Sequence, residues 1–282
     1  MTAAPLVETR GLGKTFTSGG WWGGAREEKV AVEGVDIAIP AGGTLGCVGE
    51  SGSGKSTLGR MLIRLIEPTA GSIHFDGRDI TAIGGEDLRA TRRHMQMVFQ
   101  DPLLSLNPRR TIGANIARPL ANFGIRGQES RDRVERLMRL CGLDPSQATR
   151  YPNEISGGQC QRVAIARALA LEPKFLFLDE PVSALDVSVQ AQILNLLLDI
   201  QAELGLTYLF VTHDLKLIEF MADEVVVMRH GRVVERGTAE AVWNDPQHPY
   251  TRNLLDGVLR LDAPPDWDAL TRRLEGVDTG AA

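Results

Sequence analysis

The segment GESGSGKST, from Gly49 to Thr57, constrains the fold of this chain more than any other feature of its sequence. It matches the pattern G-x-x-x-x-G-K-[ST], follows the apolar run TLGCV and precedes an amphipathic run. In that context the pattern predicts a loop between a strand and a helix, whose backbone amides donate to a bound phosphate. Lys55 would reach the β- and γ-phosphates, and Ser56 would offer its hydroxyl to Mg²⁺. We therefore expect a nucleoside triphosphate to bind here.

The rest of the chain indicates how strands and helices surround this loop. Residues 1–48 alternate apolar and polar positions as strands do, and Asp76-Gly77 predicts a hairpin turn. After Ser156, strands alternate with helices, which is typical of a largely parallel sheet wrapped by helices. In TLGRMLIRLIEP, apolar residues at helical spacing predict a helix that continues until Pro68.

Helical spacing dominates residues 86–154. The run ESRDRVERLMRLCGL places its apolar residues on one helix face, namely Val134, Leu137, Met138 and Cys141. Five arginines lie between Arg126 and Arg139. They indicate either a solvated helix face or a patch for an anionic partner.

The composition narrows the functional class. The chain has 282 residues, of which 43% are apolar and 24% charged, and its net charge of −5 gives no support to nucleic-acid binding. No apolar run approaches the roughly 18 residues of a membrane span, and MTAAPLVETR lacks signal-peptide features. We therefore expect an intracellular protein that does not itself cross a bilayer. Three cysteines without CxxC spacing and five scattered histidines argue against a metal cluster or a disulfide framework.

Polar residues end three apolar runs after the phosphate loop. FLFLDE places Asp179 and Glu180 at the end of a buried strand, where a carboxylate needs a partner. Asp179 suits the coordination shell of Mg²⁺, and Glu180 could take a proton from an attacking water. Gln100 ends MQMVFQ and His213 ends TYLFVTH, so both could face the γ-phosphate if their strands neighbour the strand before the loop. Taken alone, a histidine after a strand is more often a hydrogen-bonded structural residue.

A second glycine-rich helix start occurs at ISGGQCQR, residues 155–162. Ser156 is a favourable N-cap, and Gln159 three residues later completes a capping box. Gly157 and Gly158 leave the first turn without side chains, so its amides could approach an anion closely. An ordinary capped helix explains the same residues, and on capping alone that interpretation is preferred.

The motifs occur in a specific order: GESGSGKST, FQDP, ISGGQCQR, LFLDEP, SALD and THD. Over roughly residues 6–250 this order resembles the ATPase subunit of ATP-binding cassette transporters. The finer resemblance is to the oligopeptide, dipeptide and nickel importer ATPases, and it is carried by FQDPLLSLNPR (99–109), RYPNEISGGQCQR (150–162), EPVSALDVSVQAQ (180–192) and HPYT (248–251). The signature departs from the commonest form at Ile155 and Cys160. Longer members carry a cysteine-bearing tail, and because no cysteine follows Cys160 we expect no iron–sulfur element.

The resemblance implies an α/β fold, with a P-loop NTPase core of mostly parallel sheet and helices, an antiparallel β subdomain and an inserted α-helical subdomain. The implied boundaries are residues 1–85 for the β subdomain and the phosphate-loop part of the core, 86–158 for the Q-loop and helical subdomain up to the signature, 159–245 for the rest of the core, and 246–282 for a short tail.

The resemblance also implies ATP hydrolysis as the activity, with ATP and Mg²⁺ as cofactors. Two such subunits face head to tail, so that the signature of one completes the γ-phosphate site of the other. Catalytic roles fall on Glu180, His213 and Gln100, and metal coordination on Ser56, Gln100 and Asp179. Nucleotide contacts are assigned to Phe16, Gly49, Glu50, Ser51, Gly52, Ser53, Gly54, Lys55, Ser56, Thr57, Ser156, Gly157, Gly158, Gln159 and Asp186. Trp21 and Trp22 are further candidates for stacking on the adenine.

The implied partners are transmembrane permease subunits, a second ATPase subunit of the same or a sister chain and, indirectly, a substrate-binding protein, with no nucleic acid. The implied location is the cytoplasmic face of the inner membrane, as a peripheral subunit. The transported solute stays open between di- or oligopeptides and nickel. A cassette ATPase acting on ribosomes or DNA would carry two cassettes or a long coiled coil between its motifs. A non-hydrolysing regulator would lack Glu180 or His213, which are both present.

Overall fold

The strands of this chain form two sheets of different character. The computed structural model describes residues 4–18 and 27–262. Its strands are, in chain order, β1 (Pro5–Ser18), β2 (Glu27–Val35), β3 (Ala38–Pro40), β4 (Thr44–Val48), β5 (Ala70–Phe75), β6 (Arg78–Asp79), β7 (Met95–Val98), β8 (Phe175–Asp179), β9 (Thr207–Val211), β10 (Glu224–Arg229) and β11 (Arg232–Thr238). Six of them form one sheet and the other five form the second.

The six-stranded sheet is parallel except at one edge. Its order is β11-β10-β4-β9-β8-β7, and β11 alone among these strands runs antiparallel to its neighbour. In β8, Phe175 and Phe177 enter one hydrophobic core, whereas Leu176 and Leu178 enter the other. Burial on both faces is characteristic of a parallel sheet covered by helices, and it explains the continuously apolar run FLFL before Asp179. The predicted α/β core is confirmed.

The second sheet is antiparallel and shares a core with one face of the first. β1 pairs with β2, β3 and β5, and β5 pairs with β6 across the predicted turn at Asp76-Gly77. The φ angles of these two turn residues are 50° and 75°, as a tight Asp-Gly hairpin requires. Leu6 and Ile73 of this sheet lie in the same hydrophobic core as Leu58 and Phe177. The antiparallel sheet therefore covers the helix that follows the phosphate loop.

The helices either cover the parallel sheet or are inserted between β7 and β8. They are α1 (Lys55–Leu62), α2 (Gly85–Arg93), α3 (Pro102–Ser105), α4 (Ile112–Asn122), α5 (Gly127–Leu140), α6 (Gly157–Leu169), α7 (Val187–Leu204), α8 (Leu215–Met221), α9 (Ala239–Asn244) and α10 (Pro249–Asp262). Two 3₁₀ turns, Pro145–Thr149 and Pro152–Glu154, separate α5 from α6. Within residues 4–18 and 27–262, no helix combines the length and apolar character needed to cross a bilayer.

The inserted helices form a unit around α6. Helices α3, α4 and α5 all pack against it. The predicted apolar face of α5 is confirmed, since Val134, Leu137 and Met138 are buried together with Cys141, which follows the helix. The second glycine-rich helix start opens α6 and therefore belongs to this unit.

Helix α1 ends earlier than its sequence predicts. The apolar spacing predicts a helix up to Pro68, but α1 ends at Leu62, and Arg64 has a left-handed backbone with a φ of 55°. The Arg64 side chain is 3% exposed and donates hydrogen bonds to the carbonyl oxygens of Ile80 and Ile83. A buried guanidinium needs such partners. These long-range contacts end the helix before the proline does, because tertiary context overrides local propensity.

Candidate active site

The phosphate loop joins β4 to α1, as its sequence predicts. Gly49 has a φ of 151°, and a Cβ atom on it would lie 2.2 Å from the carbonyl oxygen of Met228. Gly54 precedes α1 with a φ of 106°, and no side chain caps the start of this helix. Both positions therefore require glycine for conformational reasons. The uncapped helix start leaves backbone amides for an anionic ligand.

The ammonium group of Lys55 lies inside the loop. Its Nζ donates to the carbonyl oxygens of Gly49 at 2.6 Å and Glu50 at 2.9 Å. Burial lowers the pKa of Lys55, while the carboxylates of Glu180 and Asp179 act in the opposite direction. Carbonyl oxygens are weaker partners for an ammonium group than charged phosphate oxygens. Lys55 is thus suited to exchange these carbonyls for phosphate.

Ser56 and Asp179 form a compact pair of oxygen donors. The Ser56 hydroxyl donates to Oδ1 of Asp179 at 2.7 Å, and the guanidinium of Arg60 lies 3.4 Å from Oδ2. Burial raises the pKa of Asp179, although the hydrogen bond from Ser56 and the charge of Arg60 oppose this. Gln100 lines the same cleft as Asp179. One carboxylate and neutral oxygens, completed by phosphate, are the ligand set that Mg²⁺ usually takes, so these residues fit that ion.

Gln100, Glu180 and His213 meet at the carboxyl ends of three neighbouring strands. Because β7, β8 and β9 are adjacent and parallel, the residues that follow them reach the same edge of the sheet. The Gln100 Nε2 atom lies 3.0 Å, and the His213 Nδ1 atom 3.2 Å, from the same oxygen of Glu180. The φ of Glu180 is 47°, a strained value for a non-glycine residue and one that tends to occur at functional sites. The arrangement orients one carboxylate with two polar side chains.

The second glycine-rich helix start is capped by its own side chains. The Ser156 hydroxyl accepts from the amide of Gln159 at 3.3 Å, and the Gln159 side chain accepts from the amide of Ser156 at 3.0 Å. The predicted capping box is therefore confirmed. Ser156 and Gly157 are exposed. Among the described residues, no hydrogen bond or ion pair joins residues 156–159 to the phosphate loop.

The two glycines of this start have different surroundings. A Cβ atom on Gly158 would lie 2.6 Å from Cγ1 of Val189, so α7 passes too close for a larger residue. A Cβ atom on Gly157 would approach Leu185 only to 3.7 Å, which is an ordinary contact. Packing within the chain explains Gly158 but leaves Gly157 unexplained. Packing therefore accounts for one of the two glycines, and close approach of an anion would account for the other.

Asp186 caps the start of α7. Its carboxylate accepts from the amide of Val189 at 3.0 Å and from the hydroxyl of Ser188 at 2.8 Å. The hydrogen bond from the Val189 amide is the main reason that the pKa of Asp186 lies below its usual value. The next residue, Val187, is 81% exposed. The start of α7 thus presents an ordered charge and an apolar side chain to solvent.

Phe16, a candidate for stacking on adenine, lies on β1 and is 42% exposed. The Lys14 Nζ atom lies 5.1 Å from the centre of its ring, a cation–π distance. The ring is therefore accessible to a planar ligand. Trp21 and Trp22, the other candidates, lie outside the described residues.

The arginines of the inserted helices pair largely within the chain. Arg133 and Arg136 lie 3.5 Å and 3.2 Å from the carboxylate of Glu172. Arg139 pairs with Glu135 one helical turn away. Since these pairs offset the positive charge on an exposed surface, they favour a solvated helix face over a patch for an anionic partner.

Two side chains near the phosphate loop were not predicted as site residues from the sequence. Arg60 contacts Asp179, and its signal is its position four residues after Ser56, on the same helix face. The hydroxyl of Tyr250 accepts a hydrogen bond from the amide of Glu50 at 3.0 Å. No local pattern predicts that contact, because 200 positions separate the two residues.

Comparison with known proteins adds independent findings. A family model described as ABC transporter matches residues 32–183. A putative peptide import ATP-binding protein of Brucella ovis is 46% identical over 275 residues, which cover 97% of this chain and 83% of that protein. The oligopeptide transport ATP-binding protein OppF of Salmonella typhimurium is 48% identical over 248 residues, covering 87% of this chain and 74% of OppF.

A solved structure supports the same relationship. The ATP-binding cassette MJ0796, in a dimeric post-hydrolysis state bound to ADP and Pi, superposes with a TM-score of 0.73 and 32% sequence identity. The match covers 83% of this chain and 98% of that one. The shared fold therefore includes almost the whole of a nucleotide-binding cassette that has been seen as a dimer.

Proposed function

This chain belongs to the ABC transporter family, and we propose that it is the ATP-hydrolysing subunit that powers a membrane importer of peptides or related small solutes. The relatives from Brucella ovis and Salmonella typhimurium are named for peptide import and oligopeptide transport. The main observation behind the proposal is that the side chains of Gln100 and His213 both contact one carboxylate oxygen of Glu180. A carboxylate oriented in this way beside a phosphate loop is suited to activate water.

The phosphate loop would bind ATP within the chain. Lys55 would transfer its hydrogen bonds from the loop carbonyls to the β- and γ-phosphates. Ser56, Asp179 and Gln100 would hold Mg²⁺, which supplies neutralisation of the phosphate charge. Glu180 would accept a proton from the attacking water while His213 holds its carboxylate in place. Phe16 would stack on the adenine ring.

A second ATPase subunit would complete the site. The exposed hydroxyl of Ser156 and the amide of Gly157 would reach the γ-phosphate held by the partner, with Gly158 and Gln159 shaping the same turn. Asp186 and Val187 would lie at the contact between the two subunits. The dimeric cassette MJ0796, bound to ADP and Pi, supports this arrangement. Closure of the pair would then require ATP, and hydrolysis would reopen it.

We further propose a division of labour along the chain. Residues 1–85 and 159–245 would form the nucleotide-binding unit, and residues 86–158 would contact the permease near Gln100. The predicted tail, residues 246–282, lies partly outside the described residues, which end at residue 262. The chain would act at the cytoplasmic face of the membrane as a peripheral subunit. A substrate-binding protein would deliver the solute to the permease and would thus act on this chain only indirectly.

The test is transport by a reconstituted complex. The tagged chain, purified from membranes with its permease subunits, would be placed in lipid vesicles with the cognate binding protein, MgATP and labelled di- and oligopeptides. We expect ATP-dependent peptide uptake, and no uptake by a complex containing Glu180→Gln. ATP hydrolysis without accumulation of any tested peptide would contradict the assignment to peptide import.

A further inference from the structure

The segment HPYT, residues 248–251, stands out in the sequence without a role in the site described so far. It leads into α10, and the side chain of Tyr250 is 5% exposed. The Tyr250 hydroxyl accepts the amide hydrogen of Glu50, with 3.0 Å between the two heavy atoms. The segment therefore reaches the second residue of the phosphate loop.

The peptide unit between Gly49 and Glu50 is held at both ends. Its carbonyl oxygen, which belongs to Gly49, accepts from Nζ of Lys55 at 2.6 Å. Its N–H, which belongs to Glu50, donates to the hydroxyl of Tyr250. In a trans peptide these two groups point in opposite directions. Lys55 and Tyr250 consequently restrain the same peptide plane from opposite sides.

Tyr250 is itself held in place by the hairpin of β10 and β11. The guanidinium of Arg229 lies 4.9 Å from the centre of the tyrosine ring. The carboxylate of Glu235 accepts from the amides of Gln247 at 2.7 Å and His248 at 3.1 Å. The Nδ1 atom of His248 then accepts from the amide of Tyr250 at 3.1 Å. A continuous set of contacts thus links the hairpin to the hydroxyl that meets the loop.

The same hairpin supports the other half of the loop. The amide of Gly231, in the turn between β10 and β11, donates to the carbonyl oxygen of Ser53 at 2.9 Å. One contact therefore comes directly from the hairpin turn, and the other comes through Tyr250. The loop is thus held at two separated points, Glu50 and Ser53. Lys55 hydrogen-bonds to the Gly49–Glu50 peptide, which is the one that Tyr250 restrains.

We propose that Tyr250 is a positioning residue for the ATP site, which holds the Gly49–Glu50 peptide in the orientation that the loop needs to receive phosphate. This inference rests on the nucleotide site of the proposed function. When Lys55 transfers its hydrogen bond to a phosphate, the Gly49 carbonyl loses that partner, and the contact with Tyr250 becomes the remaining side-chain restraint described for this peptide. HPYT is thereby assigned a part in nucleotide binding.

The test compares two tyrosines that each lose one buried hydroxyl. Tyr250→Phe keeps the ring beneath Arg229 and removes only the acceptor for the Glu50 amide. Tyr208→Phe is the matched control, since Tyr208 lies in the same hydrophobic core as Tyr250 and its hydroxyl donates to the carbonyl oxygen of Leu197 at 2.9 Å. Each variant of the full chain would be measured for ATP affinity by titration calorimetry, for KM and kcat in the transporter complex, and for Tm without nucleotide.

For Tyr250→Phe we expect the ATP dissociation constant and KM to rise about three- to tenfold, the equivalent of one hydrogen bond, with kcat at saturating ATP within about twofold of wild type. For Tyr208→Phe we expect a lower Tm with ATP affinity unchanged. Wild-type affinity in Tyr250→Phe would overturn the inference and leave the proposed function intact. Equal weakening of ATP binding in both variants would also overturn it, since general loss of stability would then explain the effect. Failure of the wild-type chain to bind or hydrolyse ATP would instead refute the proposed function.

Discussion

Two glycine-rich helix starts in this chain are alike in sequence and differ in structure. Helix α1 begins without a side-chain cap, and the Lys55 ammonium group donates hydrogen bonds to carbonyl oxygens of its own loop. Helix α6 begins with a complete capping box, and Ser156 and Gly157 at its start are exposed. The first start is incomplete without an anion, whereas the second is satisfied by its own residues.

The difference agrees with the proposal that the first start binds its ligand within the chain and the second serves a partner chain. A helix start that binds its ligand within the chain can leave its amides bare, because the ligand completes it. A start that serves a partner chain has to be ordered before the partner arrives, and the bonds between Ser156 and Gln159 provide that order. The remaining exposed groups, chiefly the Ser156 hydroxyl and the Gly157 amide, are then available to a nucleotide held elsewhere.

The largest expected effect separates ATP binding from hydrolysis. Glu180→Gln removes the proton acceptor but keeps the shape of the side chain, so we expect kcat to fall by about 100-fold or more. The ATP affinity of the purified chain should stay within about twofold of wild type. ATP should then accumulate in a closed dimer, which size-exclusion chromatography with MgATP would detect.

Glu172→Gln is the matched control for this variant. It removes the same charge from an exposed surface pair with Arg136, and it precedes β8, whereas Glu180 follows that strand. Its kcat should equal that of the wild-type chain. Near-normal turnover by Glu180→Gln would show that another group accepts the proton.

The next effect distinguishes the two glycines of the second start. In Gly158→Ala the new methyl group meets Val189, so we expect the free energy of unfolding to fall by about 1–3 kcal/mol. In Gly157→Ala there is room for the methyl group, so stability should change by less than about 0.5 kcal/mol. ATP hydrolysis by Gly157→Ala should nevertheless fall, because the methyl group would face the partner's nucleotide. Urea unfolding of both variants tests this distinction. An equal loss of stability in Gly157→Ala and Gly158→Ala would contradict it.

The smallest effect concerns the cap itself. Ser156→Ala removes the oxygen that accepts the Gln159 amide, and we expect it to lower the free energy of unfolding by about 1 kcal/mol. Thr111→Ala is the control, since Thr111 caps α4 through the amide of Ala114 in the same way. If the free energy of unfolding in urea falls by a similar amount in both variants, the Ser156 cap stabilises its helix as much as the Thr111 cap does. Full stability in Ser156→Ala would mean that the capping box does not hold the turn in solution.

Local patterns in the sequence predict much of the fold. The buried strand FLFLD, the Asp-Gly turn and the capping box at Ser156 are set by neighbouring residues, and all three are confirmed. The convergence of Gln100, Glu180 and His213 also follows from a simple rule, since the ends of adjacent parallel strands lie at one edge.

Features set by distant contacts could not be predicted in this way. The end of α1 depends on partners of Arg64 in the segment after β6. The need for glycine at position 158 depends on Val189, and the support of the loop depends on Tyr250. In each case a side chain or backbone group meets a residue that no periodicity or local motif connects with it.

The most direct test of the difference between the two helix starts is the ATP affinity of the purified chain carrying Ser156→Arg, measured by titration calorimetry beside hydrolysis by the assembled transporter. The large charged side chain would block the exposed face of the second start without touching the phosphate loop of its own chain. We predict unchanged ATP affinity of the isolated chain and loss of hydrolysis in the complex. Weakened ATP binding by the isolated chain would contradict the account, because Ser156 would then belong to the site of its own chain.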